Sequence, residues 1–464
     1  MAGFHVENFG CRAARADGEA VSARLRAEGL SELTLASADV VVVNTCSVTA
    51  EADRQARAFV RKTMRLNPGA KVVVTGCYAQ RAPQEIAALE GVAAVIGNSH
   101  KGLVPEIVHG LVNPPSVVDG AARLIPAASL FSINASAPNT SAPIWADDHF
   151  AHSYIEDAQV LPGAQTRPNL KIQEGCGNRC TFCIIPTTRG NSRSLSRAKV
   201  LAQVRGFVAA DGKELVISGI NLGRWGREFS EPSSVADLVR AMVEETGLPR
   251  LRLSSIEPMD WTPELVSLMG EFGGVSIARH AHLPLQSGSD AVLRRMHRRY
   301  RPWHYEQKAA ALVETVGPAL ALGADVMVGF PGETDEEFRE THDLIASLPF
   351  AYLHLFPFSP RPGTRGWDMH RESPVSPQAV AERMAALQQL AAEKTRSFRA
   401  GFVGRSLPTI TLHTSASLSA QGRTNGLTDN YLPVEIDAVL PANELVEVRV
   451  VEIDSKGVLR CEMN

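Results

Sequence analysis

Short apolar runs alternate with stretches of helical periodicity over residues 1–112. The runs end at Phe9-Gly10-Cys11, at Val41-Val42-Val43-Asn44-Thr45-Cys46 and at Val72-Val73-Val74-Thr75-Gly76-Cys77. Helical patterns follow over Ala16 to Glu28, Glu51 to Leu66 and Pro83 to Leu89, and a fourth strand, Ala93 to Ile96, precedes a helix near Lys101 to His109. Strands that alternate with helices predict a parallel, doubly wound sheet. Cys11, Cys46 and Cys77 each fall just past the end of a strand. In a parallel sheet those ends share one edge, where open α/β folds bind ligands. Topology would therefore gather three thiols that lie far apart in the chain, although scattered core cysteines are the plainer alternative.

The pattern dissolves over residues 113–166, where Ala, Ser, Pro and Asn dominate. That segment reads as a partly mobile linker with at most a short strand, and its Asp147, Asp148, His149 and His152 read as solvated loop residues. Alternation resumes over 167–398. Strands are expected at Leu170–Gln173, Glu214–Ser218, Arg250–Leu253, Ala281–Leu285, Ala324–Val328 and Tyr352–Phe356. Helices are expected at Arg197–Val208, Val235–Thr246, Pro263–Glu271, Trp303–Val316 and Glu333–Ala346. Six such units predict a partial, open (β/α) barrel with its chemistry at the strand C-termini. A helix near Pro377–Ala400 leads into residues 401–464, whose alternating runs Pro408–His413, Tyr431–Ile436 and Leu445–Ile453 predict a small antiparallel β barrel.

The strongest chemical signal follows the first strand of the central series. Gly175-Cys176-Gly177-Asn178-Arg179-Cys180-Thr181-Phe182-Cys183 places three cysteines at C-x-x-x-C-x-x-C spacing. Thiolates favour zinc or iron–sulfur clusters, and zinc would call for a fourth ligand nearby, which the neighbouring sequence lacks. Three thiolates hold three irons of a 4Fe–4S cube and leave the fourth open to chemistry. A zinc knuckle or unrelated buried thiols compete with this reading, and two flanking glycines at this spacing weigh against both.

Composition narrows the class. A chain of 464 residues with 44% hydrophobic content makes two to four domains, and a net charge of −3 gives no global nucleic-acid signature. Met1 to Ala14 contains Glu7 and lacks the order of a secretory signal, and the best apolar run, Pro318 to Phe330, is too short to span a membrane and carries Asp325. Seven cysteines, six of them in the two sets, suit metal chemistry in a reducing cytosol, so a cytoplasmic protein without membrane association is expected. Cys461 is left with a packing role. The densest basic stretch, Arg294 to Trp303, interleaves five arginines with Tyr300 and Trp303 and is a candidate for RNA contact. Residues 401–464 hold five Lys or Arg against eight Asp or Glu, so RNA contact there would rest on particular residues such as Arg423, Asn430 and Tyr431.

The C-x-x-x-C-x-x-C loop resembles the radical S-adenosylmethionine (SAM) signature, in which SAM binds the open iron. Ser218-Gly219-Ile220 is similar to that family's glycine turn, which implies contact of Gly219 with the SAM amino group. Gln286-Ser287-Gly288 and Val328-Gly329-Phe330-Pro331-Gly332 resemble segments that meet its ribose, methionine tail and adenine. The resemblance implies a cofactor-binding set of Gly219, Ser255, Gln286, Gly288 and Val328. Arg189, with Arg193, is a further candidate for the SAM carboxylate or a substrate phosphate. Gly426 to Tyr431 resembles the central motif of the TRAM domain, a small RNA-binding barrel.

Nearly the full chain resembles the radical SAM methylthiotransferases. That resemblance implies domains at 1–112, 167–398 and 401–464 joined by the 113–166 linker, and two 4Fe–4S clusters with SAM as cofactors. Cys176, Cys180 and Cys183 would hold the SAM-binding cluster, and Cys11, Cys46 and Cys77 an auxiliary cluster that carries the sulfur to be inserted. One SAM would donate methyl and a second would yield the 5′-deoxyadenosyl radical that activates an unreactive C–H bond. Asn44 to Asp53 and Leu253 to Pro258 look most like the branch acting on N6-threonylcarbamoyladenosine of tRNA. Sister branches act on N6-isopentenyladenosine or on an aspartate of a ribosomal protein. Implied partners are the tRNA anticodon loop, an electron donor such as flavodoxin or ferredoxin, and a sulfur donor. One departure stands out: Ala14 occupies the position, three residues after the first ligand, where the family usually has Asn. A non-enzymatic iron–sulfur RNA-binding or redox-sensing protein is the rival class, and it leaves the glycine turns at the strand ends unexplained.

Overall fold

The structure, a computed structural model, describes residues 2–113, 142–154, 160, 162 and 166–464. Six parallel strands build the N-terminal sheet in the order β2-β1-β3-β4-β5-β6. They are β1 (Gly3–Asn8), β2 (Ser31–Glu32), β3 (Val40–Thr45), β4 (Lys71–Gly76), β5 (Val92–Gly97) and β6 (Ile144–Trp145). Strand β3, Val-Val-Val-Val-Asn-Thr, is buried throughout, as a central parallel strand covered on both faces must be. Val41, Val43, Val72 and Val74 pack under helix Ala50–Leu66, whereas Val40, Val42 and Val73 pack under helices Arg12–Ala27 and Val104–Val112. The sheet is doubly wound, as the alternation predicts.

Two details differ from expectation. The first helix starts at Arg12, directly after Cys11, because Ala13 and Ala14 are good helix formers that bury against the sheet. The short strand expected in the linker is β6, which pairs with β5 through Val95 and Ile144 and so belongs to the N-terminal sheet. Most of the remaining linker expectation lies outside the described residues.

The central domain divides its wall into two pieces. One holds β7 (Asn169–Glu174), β8 (Arg193–Ser194), β9 (Glu214–Gly219) and β10 (Arg250–Leu253) in the order β10-β9-β7-β8. The other is β11 (His280–His282), β12 (Ala321–Val328) and β13 (Phe350–Pro357). Only the short β8 runs antiparallel, and the other six strands are the βα series read from the sequence. Strand β11 is shorter than the expected Ala281–Leu285. Past His282 the ladder becomes irregular, and Gln286 adopts φ 62° while the amides of Leu285 and Gln286 both bond Asp325 O. A continuous apolar core fills the barrel, from Leu170 and Ile217 to Tyr300, Val326 and Phe350.

Helix Pro377–Ala400 closes the domain, and β14 (Ser406–Thr411), β15 (Thr424–Thr428), β16 (Pro433–Ile436), β17 (Leu445–Ile453) and β18 (Leu459–Met463) form the closed C-terminal barrel. That barrel docks on the central wall through Arg252, which donates to the carbonyls of Thr428 and Asp429, and through Arg279, which pairs with the Asp429 carboxylate. Among the described residues no helix is long and apolar enough to cross a membrane.

Candidate active site: two thiol sets on one cavity

Strand register brings the first thiol set together. Asn8 pairs with Asn44 across β1 and β3, and Thr45 with Gly76 across β3 and β4, so Cys11, Cys46 and Cys77 emerge from three adjacent strands at one edge. Two glycines make the approach possible. A Cβ on Gly10 (φ 109°) would lie 2.4 Å from Cys46 Cβ, and one on Gly76 (φ 99°) would lie 2.3 Å from Thr45 O. Burial, followed by the neighbouring Cys77 and Cys11, pushes the Cys46 thiol up to about 12. Three sulfurs gathered at one sheet edge make the soft donor set of a metal cluster.

The second set sits in the loop after β7. Burial and the nearby Cys180 and Cys176 push Cys183 up to about 12, and burial raises Cys176. Asn178 N (3.4 Å) and Asn221 Nδ2 (3.6 Å) donate to Cys176 Sγ. One cavity of about 480 Å³ is lined by Cys11 from the sheet edge and by Cys176, Cys180 and Cys183 from the barrel mouth, while Cys46 and Cys77 are buried and do not line it.

Each set also touches one buried guanidinium. Arg298 Nη1 donates to Cys180 Sγ at 3.3 Å while its Nη2 binds Glu257. Arg189 Nε donates to Cys77 Sγ, also at 3.3 Å, and its Nη1 binds Asp17 and Glu174. Lys101 and Lys171 complete this second group, which is buried between the N-terminal domain and the barrel. Three cations against two carboxylates leave one positive charge beside Cys77. Although burial disfavours it, Cys77, Glu174 and Asp17 keep Arg189 well above its ordinary value.

Arg189, a candidate for the SAM carboxylate or a substrate phosphate, is 0% exposed and its side chain donates to the sheet-edge Cys77. Arg193 caps the linker instead, donating to Ser153 and to Arg189 O. Gly219, Ser255 and Gln286 line the cavity. Gly288 and Val328 do not. The amide of Gly288 is taken by Thr341 Oγ1, and Val328 is a core residue, 1% exposed, whose carbonyl accepts from Phe358. Around the mouth, Ser218 Oγ, Asn221 Oδ1, Ser254 Oγ and Gln286 Oε1 are buried without a hydrogen-bond partner among the described residues. Unsatisfied groups converging on one cavity fit a polar cofactor such as SAM.

In the basic stretch 294–303 the side chains divide, with Arg299 and Trp303 exposed and others turned inward or paired. Tyr300 is 0% exposed with its hydroxyl on the carbonyls of Pro284 and Leu285, so it cannot stack a base. Arg298 turns inward to Cys180, while Arg294 and Arg301 pair with Asp290 and Arg295 with Glu337. In the C-terminal barrel, Asn430 is buried on Thr428 and Arg423 is neutralised by Glu435 and Asp437. Tyr431 turns toward the cavity, where it contacts the rings of His280 and Tyr352 and its hydroxyl accepts from Arg12. A second cleft, of about 590 Å³, shares Cys11 and Arg12 with the first and adds Arg15, Arg167 and Tyr431 with no carboxylate in its lining.

Sequence reasoning missed the two thiol-bound arginines, the interdomain contacts of Arg361 with Ser47 and Asp53, which Arg81 also binds from within the N-terminal domain, and a group formed by His282, Asp325 and His354. At Ala14 the backbone carbonyl accepts from Asn44 Nδ2, which also donates to Asn8 Oδ1.

Comparison with known proteins places this geometry. Residues 170–345 match the radical SAM superfamily and residues 3–97 match the uncharacterized protein family UPF0004. The structure resembles the radical SAM methyltransferase TsrM of Kitasatospora setae, at TM-score 0.50 and 14% identity over 77% of this chain and 75% of that one. The fold is therefore that of a radical SAM enzyme. The threonylcarbamoyladenosine tRNA methylthiotransferase MtaB of Bacillus subtilis is 32% identical across 94% of this chain and 90% of its own. The tRNA-2-methylthio-N(6)-dimethylallyladenosine synthase of Parafrankia sp. is also 32% identical, across 91% and 81%. This chain belongs to the radical SAM methylthiotransferase family, with the MtaB branch among its relatives, and uses 4Fe–4S clusters and SAM.

Proposed function

We propose that this chain modifies tRNA, converting N6-threonylcarbamoyladenosine next to the anticodon to its 2-methylthio derivative. The observation that carries this reading is the cavity that Cys11 of the sheet-edge set shares with all three barrel-mouth cysteines. Cys176, Cys180 and Cys183 hold one 4Fe–4S cluster and Cys11, Cys46 and Cys77 the other. Loaded, these groups and SAM supply the radical and sulfur-transfer chemistry that no side chain in the cavity can provide.

The chain's own residues bind, orient and exclude water. Gly219, Ser255 and Gln286, with the unsatisfied Ser218, Asn221 and Ser254, hold SAM at the barrel mouth. Phe182 and Ile185 line the same cavity and give the reacting centre an apolar flank. Tyr431 and Arg12 border the cavity on the side of the basic cleft, through which the RNA backbone approaches past Arg15 and Arg167. A flavodoxin or ferredoxin supplies electrons and a separate donor supplies sulfur.

Nucleoside mass spectrometry on a strain lacking the gene tests the assignment. The methylthio mark should vanish from threonylcarbamoyladenosine and return on complementation. Its loss from isopentenyladenosine, or a mass change confined to a ribosomal protein, would sink the proposal.

A further inference from the structure

Relatives named for threonylcarbamoyladenosine and for dimethylallyladenosine are both 32% identical to this chain, so percentage identity alone does not choose between the two bases. Their substituents differ sharply in chemistry. One carries a carboxylate and a hydroxyl, and the other is purely hydrocarbon. The wall of the cavity can therefore be read for the group it suits.

Three adjacent strands supply that wall. His282 ends β11, Asp325 lies in β12, and His354 is its register partner in β13. His282 Nε2 lies 3.4 Å and His354 Nδ1 3.2 Å from the same oxygen, Asp325 Oδ1. Despite burial, these two contacts hold the Asp325 carboxyl well below its usual range. His354 thus has Nδ1 committed to Asp325 and Nε2 left over, while the buried Nε2 of His282 lies beside Asp325 without a hydrogen-bond partner among the described residues. The charges of the cavity are otherwise matched, with Glu257 paired to Arg298. Among the described residues the exception is Arg12, which donates to the neutral Tyr431 hydroxyl. A hydrocarbon substituent would strip water from these groups and return no hydrogen bond, whereas an acidic, hydroxylated one would satisfy them.

We propose that His354 and His282, oriented by Asp325, act with Arg12 to read the acidic N6 substituent of the substrate and so set the enzyme's choice of base. This rests on the tRNA assignment above and deepens it. His354 and Arg12 are specificity residues, and Asp325 is a positioning residue.

The test uses full-length, cluster-reconstituted protein and three anticodon stem-loop RNAs. These carry threonylcarbamoyladenosine, its carboxyl methyl ester, or dimethylallyladenosine. The wild type should bind the acid about tenfold or more tighter than the ester, the range of a charge-assisted hydrogen bond. In His354→Phe and, separately, Arg12→Met, that ratio should fall to within about twofold, with iron content and cluster spectra checking the fold. Because the ratio is taken within one variant, partial loss of protein does not disturb it. If the wild type methylthiolates the acid while both variants keep their preference, this inference fails and the assignment stands. If the wild type prefers dimethylallyladenosine, the assignment itself fails. A divalent ion retained by wild type and lost in His354→Phe would overturn the proposal in favour of a cation site.

Discussion

The two thiol sets reach the same end by opposite routes. At the barrel mouth three cysteines lie within eight residues, and one loop after β7 positions them all. At the sheet edge the spacing is tens of residues, and strand register across β1, β3 and β4 does the positioning. The loop set is local, so it depends little on how domains dock. The edge set borrows Arg189 from the barrel domain, through the buried group with Asp17 and Glu174. A site made by topology is thus tied to its neighbour domain in a way a site made by a loop is not.

The largest effects should come from breaking one set at a time. Cys180→Ala and Cys77→Ala should each lower bound iron from about eight to about four per chain. Only Cys180→Ala should abolish 5′-deoxyadenosine formation from SAM, by roughly a thousandfold or more. Cys77→Ala should keep SAM cleavage and lose sulfur insertion. Equal loss of both activities in both variants, measured by product mass spectrometry, would erase the distinction.

Next in size are the two arginines. Removing one partner from a buried ion group costs about 3–5 kcal/mol. Arg189→Met should therefore destabilise the chain by that order in denaturant titration and loosen the N-terminal domain from the barrel, as read by proteolysis. Arg298→Met should leave that docking intact, since its partners, Glu257 and Cys180, belong to the barrel itself. Each loss of a cation should also move the midpoint potential of the adjacent cluster to more negative values while sparing the other. A shift of both clusters in either variant would contradict separate tuning.

The same contrast decides what the sequence could reveal. The C-x-x-x-C-x-x-C loop was legible because its geometry is contained in its spacing. The edge set was legible only through the strand–helix alternation, which placed Cys11, Cys46 and Cys77 past strand ends. The contact of Arg189 with Cys77 was not legible, because its place three residues after Pro186 says nothing about a partner 112 positions away. The basic stretch was legible only in part for a related reason. Charge density along a chain does not reveal Asp290 and Glu337, which absorb Arg294, Arg295 and Arg301, nor the inward turn of Tyr300. His282, Asp325 and His354 went unseen because only the ladder of β11, β12 and β13 makes them neighbours.

A smaller effect tests which set faces the RNA. Cys11 lines both the shared cavity and the basic cleft, whereas the barrel cysteines line only the cavity. Arg15→Glu should weaken anticodon stem-loop binding roughly tenfold and lower the salt slope by about one. Iron content should not change. Binding unaffected by Arg15→Glu at low and moderate salt would move the RNA path elsewhere.

The smallest effect concerns the seventh cysteine. Cys461 lies in β18 at 0% exposure, inside the core of the C-terminal barrel with Val434, Ile436 and Val450. Burial, then Asp437, pushes its thiol up to about 12, so at neutral pH it is a small apolar side chain. No second thiol shares its core cluster, in contrast to both sets, where neighbouring cysteines help to raise Cys46 and Cys183. Cys461→Ser places a hydroxyl in that core and should cost about 1–3 kcal/mol with a melting shift of a few degrees. Iron per chain and both cluster signals should be unchanged. Iron lost on this substitution would mean that burial alone, without neighbouring thiols, suffices to recruit a ligand here, and the contrast between the two sets would then lose its physical basis.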